Sequence, residues 1–456
     1  MISWKRIVGL GVVLGGIGWA GQAWSFDSLA EGYRSALHSD AIYLSAEAQY
    51  RSVLEKLPQA RAGLLPQLSF SGNKMNNTVF VNYASAFPNI NRQFRSDSWT
   101  ISISQPVFRL ANVLQYSRAQ LQIEQAGVQL EMARYDLAIR MATAFLDWQT
   151  ALRTRDATER ARMRMVEVAG QARSGRRENL VTVPDLLDAE ARLRQVEADA
   201  MDAALLLRVR AAALAKIVGV LPPAELFSFA SRPWPEVKGG EAEWVEQARS
   251  RNAQVRYQTL QIAMAEKDIS SARAGHLPTL DLVANQNRLS NSGSPNLFDN
   301  GVASTQTVTV VGIQVALPIY SGGMVNSRTD EAIALRDKAR EDLDNAVAQA
   351  AIDAQTNYYK VEVGAVQVDA AERRVKAAES ALAGARSGRI LQTQLDLDVL
   401  NAEALLLAAQ RDLFRAIANR LVAVLQLRQV SGELTDQDLE VWSKVLVPGE
   451  RQAAVR

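Results

Sequence analysis

Cysteine is absent from all 456 residues of the chain. Its absence excludes structural disulfides, thiolate metal sites, a cysteine nucleophile and a lipid-bearing N-terminal cysteine. Histidine is scarce too, and neither His38 nor His276 has partners at metal-ligand spacing. Because no nucleophile, base or metal set is evident, we predict that the chain is not an enzyme and binds no cofactor. A balance of 51 basic against 49 acidic residues gives no sign of a nucleic-acid surface.

Long hydrophobic runs are also missing after the N-terminus. Lys5 and Arg6 precede an apolar run from Ile7 to Gly21, and Ala23-Trp-Ser25 is a small-residue cleavage pattern. Since this run is shorter than the ~20 residues of a spanning helix, residues 1–25 are predicted to be a cleaved signal peptide. An exported chain without a later spanning helix can enter a membrane only as strands.

Proline is missing from two long segments. None occurs from Val107 to Ser174 or between Pro318 and Pro448, and Ala, Leu, Gln, Glu and Arg dominate both segments. This composition predicts continuous helices of about 66 residues, ~100 Å long at 1.5 Å per residue. For the helices taken alone, a periplasmic coiled-coil adaptor or structural rod is the alternative interpretation.

The chain contains an internal repeat. Arg61-Ala-Gly-Leu-Leu-Pro66 matches Arg273-Ala-Gly-His-Leu-Pro278 at an offset of 212 residues, and Ala172-Arg-Ser-Gly175 matches Ala385-Arg-Ser-Gly388 at an offset of 213. We therefore predict two copies of one unit, each with a helix, two strands, a long helix and a further helix. The predicted boundaries are 26–221 for the first repeat, 222–240 for a linker or equatorial segment, 241–430 for the second repeat and 431–456 for a C-terminal equatorial segment and tail.

Short segments between the helices alternate apolar and polar residues. In the clearest one, Trp99, Ile101 and Ile103 lie on one side of a strand and serines and a threonine on the other. The four predicted strands are Gln67–Gly72, Ser98–Gln105, Thr279–Ala284 and Thr307–Leu317. The polar connections, Gly72–Asp97 and Asn285–Gln306, are predicted to be external loops. Such alternation fits a transmembrane barrel, and equally the half-buried sheet of a soluble protein.

The number of strands favours the membrane interpretation and an oligomer. Four strands cannot close a barrel, and open sheet edges do not occur in lipid. We therefore predict a mixed α and β fold in which three chains share a 12-stranded β-barrel, with four strands from each, continued by a long α-helical barrel. Alanine-rich stretches such as Ala332–Ala354 would let neighbouring helices pack closely.

Two junction motifs resemble those of the TolC family of outer-membrane ducts. They are Gly275-His-Leu-Pro-Thr-Leu-Asp-Leu282 and Leu317-Pro-Ile-Tyr-Ser-Gly-Gly-Met-Val-Asn-Ser327. The resemblance covers the chain from Phe26 to about Leu446. It implies a homotrimeric duct in outer-membrane lipid with a periplasmic tunnel, working with a periplasmic adaptor and an inner-membrane transporter. The transporter would be an ABC type for polypeptides or a proton-driven type for drugs, and the sequence favours protein export only slightly.

The resemblance also implies site residues. Family members close their tunnel with a ring of aspartates, and Asp398-Val-Leu-Asn401 and Asp185-Leu-Leu-Asp188 match that segment. From these acids we hypothesise a cation-sensitive, pH-dependent constriction. A latch that joins neighbouring helices in the family aligns with Arg389 and Gln394, which are different residue types.

Adaptors of the family grip the tips where two helices meet. The aligned tips are Asn179-Leu180-Val181 and Gln392-Thr393, both without the usual glycine. Asn tolerates the left-handed backbone conformation, and Gly175 and Gly388, one turn earlier, are alternative positions for it.

Overall fold

The computed structural model describes residues 28–82, 89–222, 226–229, 237–293, 302–391 and 396–448. The predicted signal peptide lies outside these ranges. The helices are α1 Leu29–Ser39, α2 Ala41–Leu54, α3 Lys56–Ala62, α4 Leu110–Arg177, α5 Val183–Val218, α6 Glu241–Arg251, α7 Ala253–Arg273, α8 Met324–Ile390, α9 Asp396–Ser431 and α10 Asp436–Val445. The strands are β1 Gln67–Val81, β2 Ile90–Phe108, β3 Phe227–Phe229, β4 Thr279–Asn291, β5 Ser304–Ala316 and β6 Leu446–Pro448.

Two helices are very long, as the absence of proline predicts. Helix α4 has 68 residues and α8 has 67, which corresponds to ~100 Å each. Each is followed by a 36-residue helix, α5 or α9, that packs back along it. No helix in the described ranges is long and apolar enough to cross a membrane.

Small residues let these helices approach one another. On α8 the buried positions Ala332, Ala339 and Ala346 are spaced by seven residues, and Ala350 and Ala354 continue the stripe. A stripe at this spacing is the seam of a coiled coil, and alanine permits a short distance between helix axes. The close packing predicted for Ala332–Ala354 is thus confirmed within the chain.

The helix predicted before each pair of strands is in fact broken. The Asp40 carboxylate accepts from the Tyr43 N–H at 2.9 Å and starts α2, and the Asn252 side chain accepts from the Gln254 N–H at 2.8 Å and starts α7. Both residues have non-helical backbone angles, with ψ 115° at Asp40 and 134° at Asn252. N-cap side chains therefore start a new helix where the composition alone suggests continuity.

One antiparallel sheet has the strand order β1-β2-β4-β5, which leaves β1 and β5 as its edges. Its strands are longer than predicted. The prediction of loops over Gly72–Asp97 and Asn285–Gln306 is wrong for much of both segments, which belong to the strands. Asn77 Nδ2 donates to Ser96 Oγ at 2.6 Å across β1 and β2, within the first of these segments. Polar residues of the kinds that are common in loops form cross-strand hydrogen bonds here, because one face of the sheet is mostly polar.

The largest core lies at the middle of α4. Phe145, Leu421 and Leu425 are fully buried there, together with Phe227 and Trp442. Strand β3 pairs with β6, so the predicted linker 222–240 contributes a strand to this core and is paired with the C-terminal segment. The core anchors both long helices at a level between the sheet and the helix tips.

Charged contacts fasten the helices to the sheet. The Arg109 guanidinium, just after β2, donates to both carboxylate oxygens of Asp281 on β4, at 2.8 and 2.5 Å. Asp281 is buried and Arg109 is half-exposed. At the start of α8, Gly322 and Gly323 both have left-handed backbone angles, φ 63° and 80°, a conformation that favours glycine.

Candidate functional site

The tip between α4 and α5 is a tight turn around Asn179. The Asn179 φ is 63°, the left-handed value expected from its sequence position, and no other described non-glycine residue has a positive φ. The Leu180 N–H donates to the Gly175 carbonyl at 2.8 Å, which closes the end of α4. Thr182 then caps α5. Asn179, Leu180 and Val181 thus form the turn itself.

Gly175 does not supply the left-handed conformation proposed as an alternative, because it lies within α4 and does not have a positive φ. Instead it leaves space. A Cβ atom at this position would lie 2.7 Å from Cγ2 of Val181, closer than two carbon atoms can approach without a shift. Gly388 is likewise inside α8 without a positive φ.

The tips expose large apolar side chains. Leu180 is 76% exposed, and Val183 and Leu187 continue the same face of α5. At the end of α8, Ile390 is 82% exposed and Leu391 72% exposed. Exposed apolar groups of this size, gathered at one end of a helical rod, are typical of a surface that binds a protein partner.

The second tip is only partly described. Arg389 is exposed in the last turn of α8. Gln392, Thr393 and Gln394 lie outside the described residues. The predicted tip Gln392-Thr393 and the latch position Gln394 therefore stay predictions.

The candidate constriction residues lie at the starts of α5 and α9. Thr182 Oγ1 donates to an Asp185 carboxylate oxygen at 2.5 Å, and Asp188 pairs with Arg192 at 2.8 Å. Asp398 and Asn401 are three residues apart in α9, share one face and are exposed. The two acids of α5 thus have local partners within the chain.

The residues beside Asp398 show how α9 is held. Val399 packs with Leu382 of α8, whereas Leu400 packs against Met165 of α4 and Leu193 of α5. Helix α9 therefore packs on one side against α8, its partner in the hairpin, and on another side against the hairpin of α4 and α5. Asp398 and Asn401 lie on the exposed side of α9.

An ion triad joins the two helix hairpins close to this level. Glu403 on α9 pairs with Arg164 of α4 at 3.1 Å and with Arg386 of α8 at 2.9 Å. The Glu403 side chain is only 17% exposed. No sequence pattern points to this triad, since its members are far apart in the chain and charged residues are frequent on every helix.

The four-stranded sheet has two unlike faces. Its register places one set of side chains on the same side, called here the apolar face: Leu68, Phe70, Trp99, Ile101, Ile103, Leu282, Ala284, Val311, Ile313 and Val315. Several of these are largely exposed, for example Leu68 at 72% and Ile313 at 69%. The opposite face carries mostly serines, threonines and asparagines, such as Ser102 and Asn287, with scattered apolar residues among them, including Met75, Val283, Leu289 and the valines on β5.

The length of the apolar face matches a bilayer. Trp99 and Phe108 are nine positions apart on β2, which is ~30 Å along a strand. At the tilt of 35–45° found in membrane barrels, this becomes about the 25 Å of their apolar band. Trp99 lies at the end of that band away from the helices.

Comparisons with known proteins agree with this geometry. A profile of the family described as "Outer membrane efflux protein" matches residues 32–220 and 244–433. The alkaline protease secretion protein AprF of Pseudomonas aeruginosa is 27% identical over 441 residues, covering 94% of this chain and 89% of the relative. The outer membrane protein TolC of Vibrio cholerae is 28% identical over 422 residues, covering 91% and 92% respectively. Among solved structures, the CmeC outer membrane channel of Campylobacter jejuni has a TM-score of 0.72 at 14% identity, covering 94% of each chain.

Proposed function

We propose that this chain, which belongs to the outer membrane efflux protein family, works as a homotrimer whose subunits share one membrane barrel and one helical tunnel. The predicted resemblance to the TolC family is thereby confirmed. The protein is an outer-membrane duct of a tripartite efflux or secretion system, with its helices in the periplasm. The trimer, the closed barrel of twelve strands and the two-fold repeat are the further parts of the proposal.

The observation that carries the trimer is the open sheet. Strands β1 and β5 are edges, yet the apolar face beside them has the size and composition of a lipid-facing surface. Unpaired backbone groups are not tolerated in lipid. Pairing of β5 in one subunit with β1 in the next satisfies both edges, and three copies of four strands give twelve.

Exposed stripes on the helices support the same assembly. Met201, Leu205 and Val209 form a stripe on α5 that is more than half exposed, and Val363 and Val366 form another on α8. Each stripe is too apolar for a helix that faces water on that side. Contact between the α5 stripe of one subunit and the α8 stripe of its neighbour would extend the ring of helices below the barrel.

We further propose that the Glu403 triad serves as the latch of the constriction. The family's latch aligns with Arg389 and Gln394, whereas Glu403 connects α9 to α4 directly. Opening requires the hairpin of α8 and α9 to move relative to α4, so the Arg164 contact has to break. Asp398 and Asn401 of three subunits would then line the narrowest part, with Asp185 and Asp188 near it.

A periplasmic adaptor and an inner-membrane transporter are the proposed partners, and the apolar tips around Leu180 and Ile390 are the proposed adaptor contacts. AprF is named for protease secretion, which favours a polypeptide cargo and an ABC transporter. A deletion strain should then lack specific secreted proteins while its drug susceptibility is unchanged. The opposite result would identify a drug duct.

The assembly is tested with the purified mature chain in detergent. Light scattering should give the mass of three chains, and planar bilayers should show discrete conductance steps. A monodisperse monomer without conductance would contradict the shared barrel.

A further inference from the structure

The apolar face of the sheet ends in a cluster of charges on the side away from the helices. Arg288 on β4 lies on that face level with Trp99, and Lys74 on β1 and Arg95 and Asp97 on β2 continue it beyond Trp99. Three strands thus contribute three cations and one acid. These four residues are called here the rim cluster.

The register sets the spacing of the rim cluster. Asp97 is paired with Lys74, and Trp99 with Arg288, so each pair lies ~5 Å apart at the backbone. Arg95, Asp97 and Trp99 follow one another at every second residue, ~7 Å per step. Gly72 is opposite Trp99, and Lys74, Asp97, Trp99 and Arg288 line one shallow hollow with it. Lys74 and Arg288 line this hollow, and Arg95 lies next to Asp97 on the same face, so that three long cationic side chains from three strands surround its polar end.

Their charges are available to an outside ligand. Lys74 and Asp97 are 3.7 Å apart with side chains 69% and 53% exposed, and pairs this exposed contribute little. Arg95 Nε donates to Asn76 Oδ1 at 3.4 Å, a long bond that engages one of the five guanidinium donors. Within the described residues no acid pairs with Arg288. Three cations against one acid give the rim cluster a net charge of about +2, which Asp97 neutralises only in part.

We propose that the rim cluster binds the phosphate of an outer-leaflet lipid whose acyl chains lie on the apolar face below it. The proposal rests on the barrel and its orientation, since the end of the sheet opposite the periplasmic helices then faces the outer leaflet. Trp99 is at the depth where aromatic rings mark the membrane interface. Guanidinium groups bind phosphate oxygens through paired hydrogen bonds, and basic clusters at this depth recognise anionic headgroups.

The test measures retention of labelled diphosphoryl lipid A by immobilised full-length trimer in detergent. Its dephosphorylated form and inorganic phosphate serve as the other two probes. Each removed cation should weaken retention about fivefold, and the triple variant Lys74→Ser, Arg95→Ser, Arg288→Ser about a hundredfold. Asp97→Asn removes the one opposing charge and should tighten retention severalfold.

Three exposed cations on the tunnel helix α8 provide the matched control. Arg373→Ser, Arg374→Ser and Lys376→Ser remove the same charge and should leave retention unchanged. Equal retention by the rim triple and the wild type, or of the phosphorylated and dephosphorylated lipids, would overturn the proposal. So would an equal loss in both triples, or inorganic phosphate competing as well as the lipid.

Trimer mass and conductance are recorded on every sample, so that a loss of lipid binding can be distinguished from a loss of trimer assembly. If the rim triple variant does not assemble into trimers, the lipid retention of Asp97→Asn and of the single variants tests the proposal. An unchanged affinity in Asp97→Asn together with unchanged single variants would also reject the site.

Discussion

A side chain added at Gly175 would collide with Val181, whose Cγ2 atom would be 2.7 Å from the new Cβ. The glycine lets the chain fold back over the end of α4 immediately after the left-handed residue Asn179. The shape of this tip therefore depends on a contact between two residues six positions apart.

Gly175→Ala should disturb the tip and reduce adaptor binding and export, because valine has little rotational freedom to move aside. The double variant Gly175→Ala, Val181→Ala shortens the side chain that the new Cβ would meet, so it should restore adaptor binding and export. Gly170→Ala is the control in the same helix, since nothing lies within 4 Å of its added Cβ, and it should stabilise α4 by up to ~1 kcal/mol. Adaptor pull-down from membranes measures the effect. Normal binding by Gly175→Ala would remove the tip from the partner contact.

Asp398→Ala should reduce block by divalent cations in planar bilayers, since it removes an exposed acid from three subunits at once. Asn401→Asp should strengthen the block. Asp188→Ala, whose carboxylate pairs with Arg192, should change it less. An unaltered response in Asp398→Ala would show that the constriction lies elsewhere.

Glu403→Gln should raise the fraction of time that single channels spend in a high-conductance state, because it weakens the contact between α9 and α4. Arg164→Met should have the same effect. The control is Arg173→Met, which breaks the pair of Arg173 with Glu190 inside one hairpin and should leave gating unchanged. If all three variants behave as the wild type does, the triad is not a latch.

The pair of Arg140 and Asp40 predicts how stability depends on pH. Burial alone raises the pKa of Asp40, but hydrogen bonds from Arg140 and the Tyr43 N–H outweigh it and hold the pKa below the ordinary 3.8. A carboxylate with a lowered folded-state pKa stabilises the fold above pH 3.8, and this contribution is lost as the pH falls through the folded pKa.

Asp40→Asn keeps a side chain that can cap α2 and removes the charge, so it should cost about 1–3 kcal/mol at neutral pH. The deficit should shrink below about pH 4, where the wild type loses the same contribution. Asp369→Asn, from an exposed pair with Arg373, should change stability by less than ~0.5 kcal/mol. Thermal unfolding followed by circular dichroism across pH measures both, and a deficit independent of pH would contradict this account.

Much of the fold could be predicted from the sequence because its signals are local. The absence of proline predicts α4 and α8, and the alternation around Ile101 predicts the sheet. The strand ends could not be predicted, because Asn77 and Ser96 are residue types that are common in loops. The hydrogen bond between them depends on the register of β1 and β2. The breaks at Asp40 and Asn252 depend on caps that are indistinguishable from surface polar residues in a helical composition.

The candidate site was predictable only in part. Asn179 has the left-handed conformation that its residue type tolerates, so the position of this turn can be predicted from the sequence, whereas adaptor contact at the turn stays a prediction. The packing role of Gly175 and the Glu403 triad depend on which side chains meet across helices. Neither spacing nor composition contains that information.

Cysteine pairing across the sheet edges tests the shared barrel most directly. The chain has no cysteine of its own, so Ser71→Cys on β1 can be combined in turn with Gln306→Cys, Val308→Cys and Val310→Cys on β5. Ser102→Cys with Asn285→Cys, which are neighbours within one sheet, is the control and should link only within a chain. Oxidation in isolated outer membranes should give a covalent trimer with at least one of the edge pairs. Monomers from every edge pair, in membranes where the control pair forms, would contradict it.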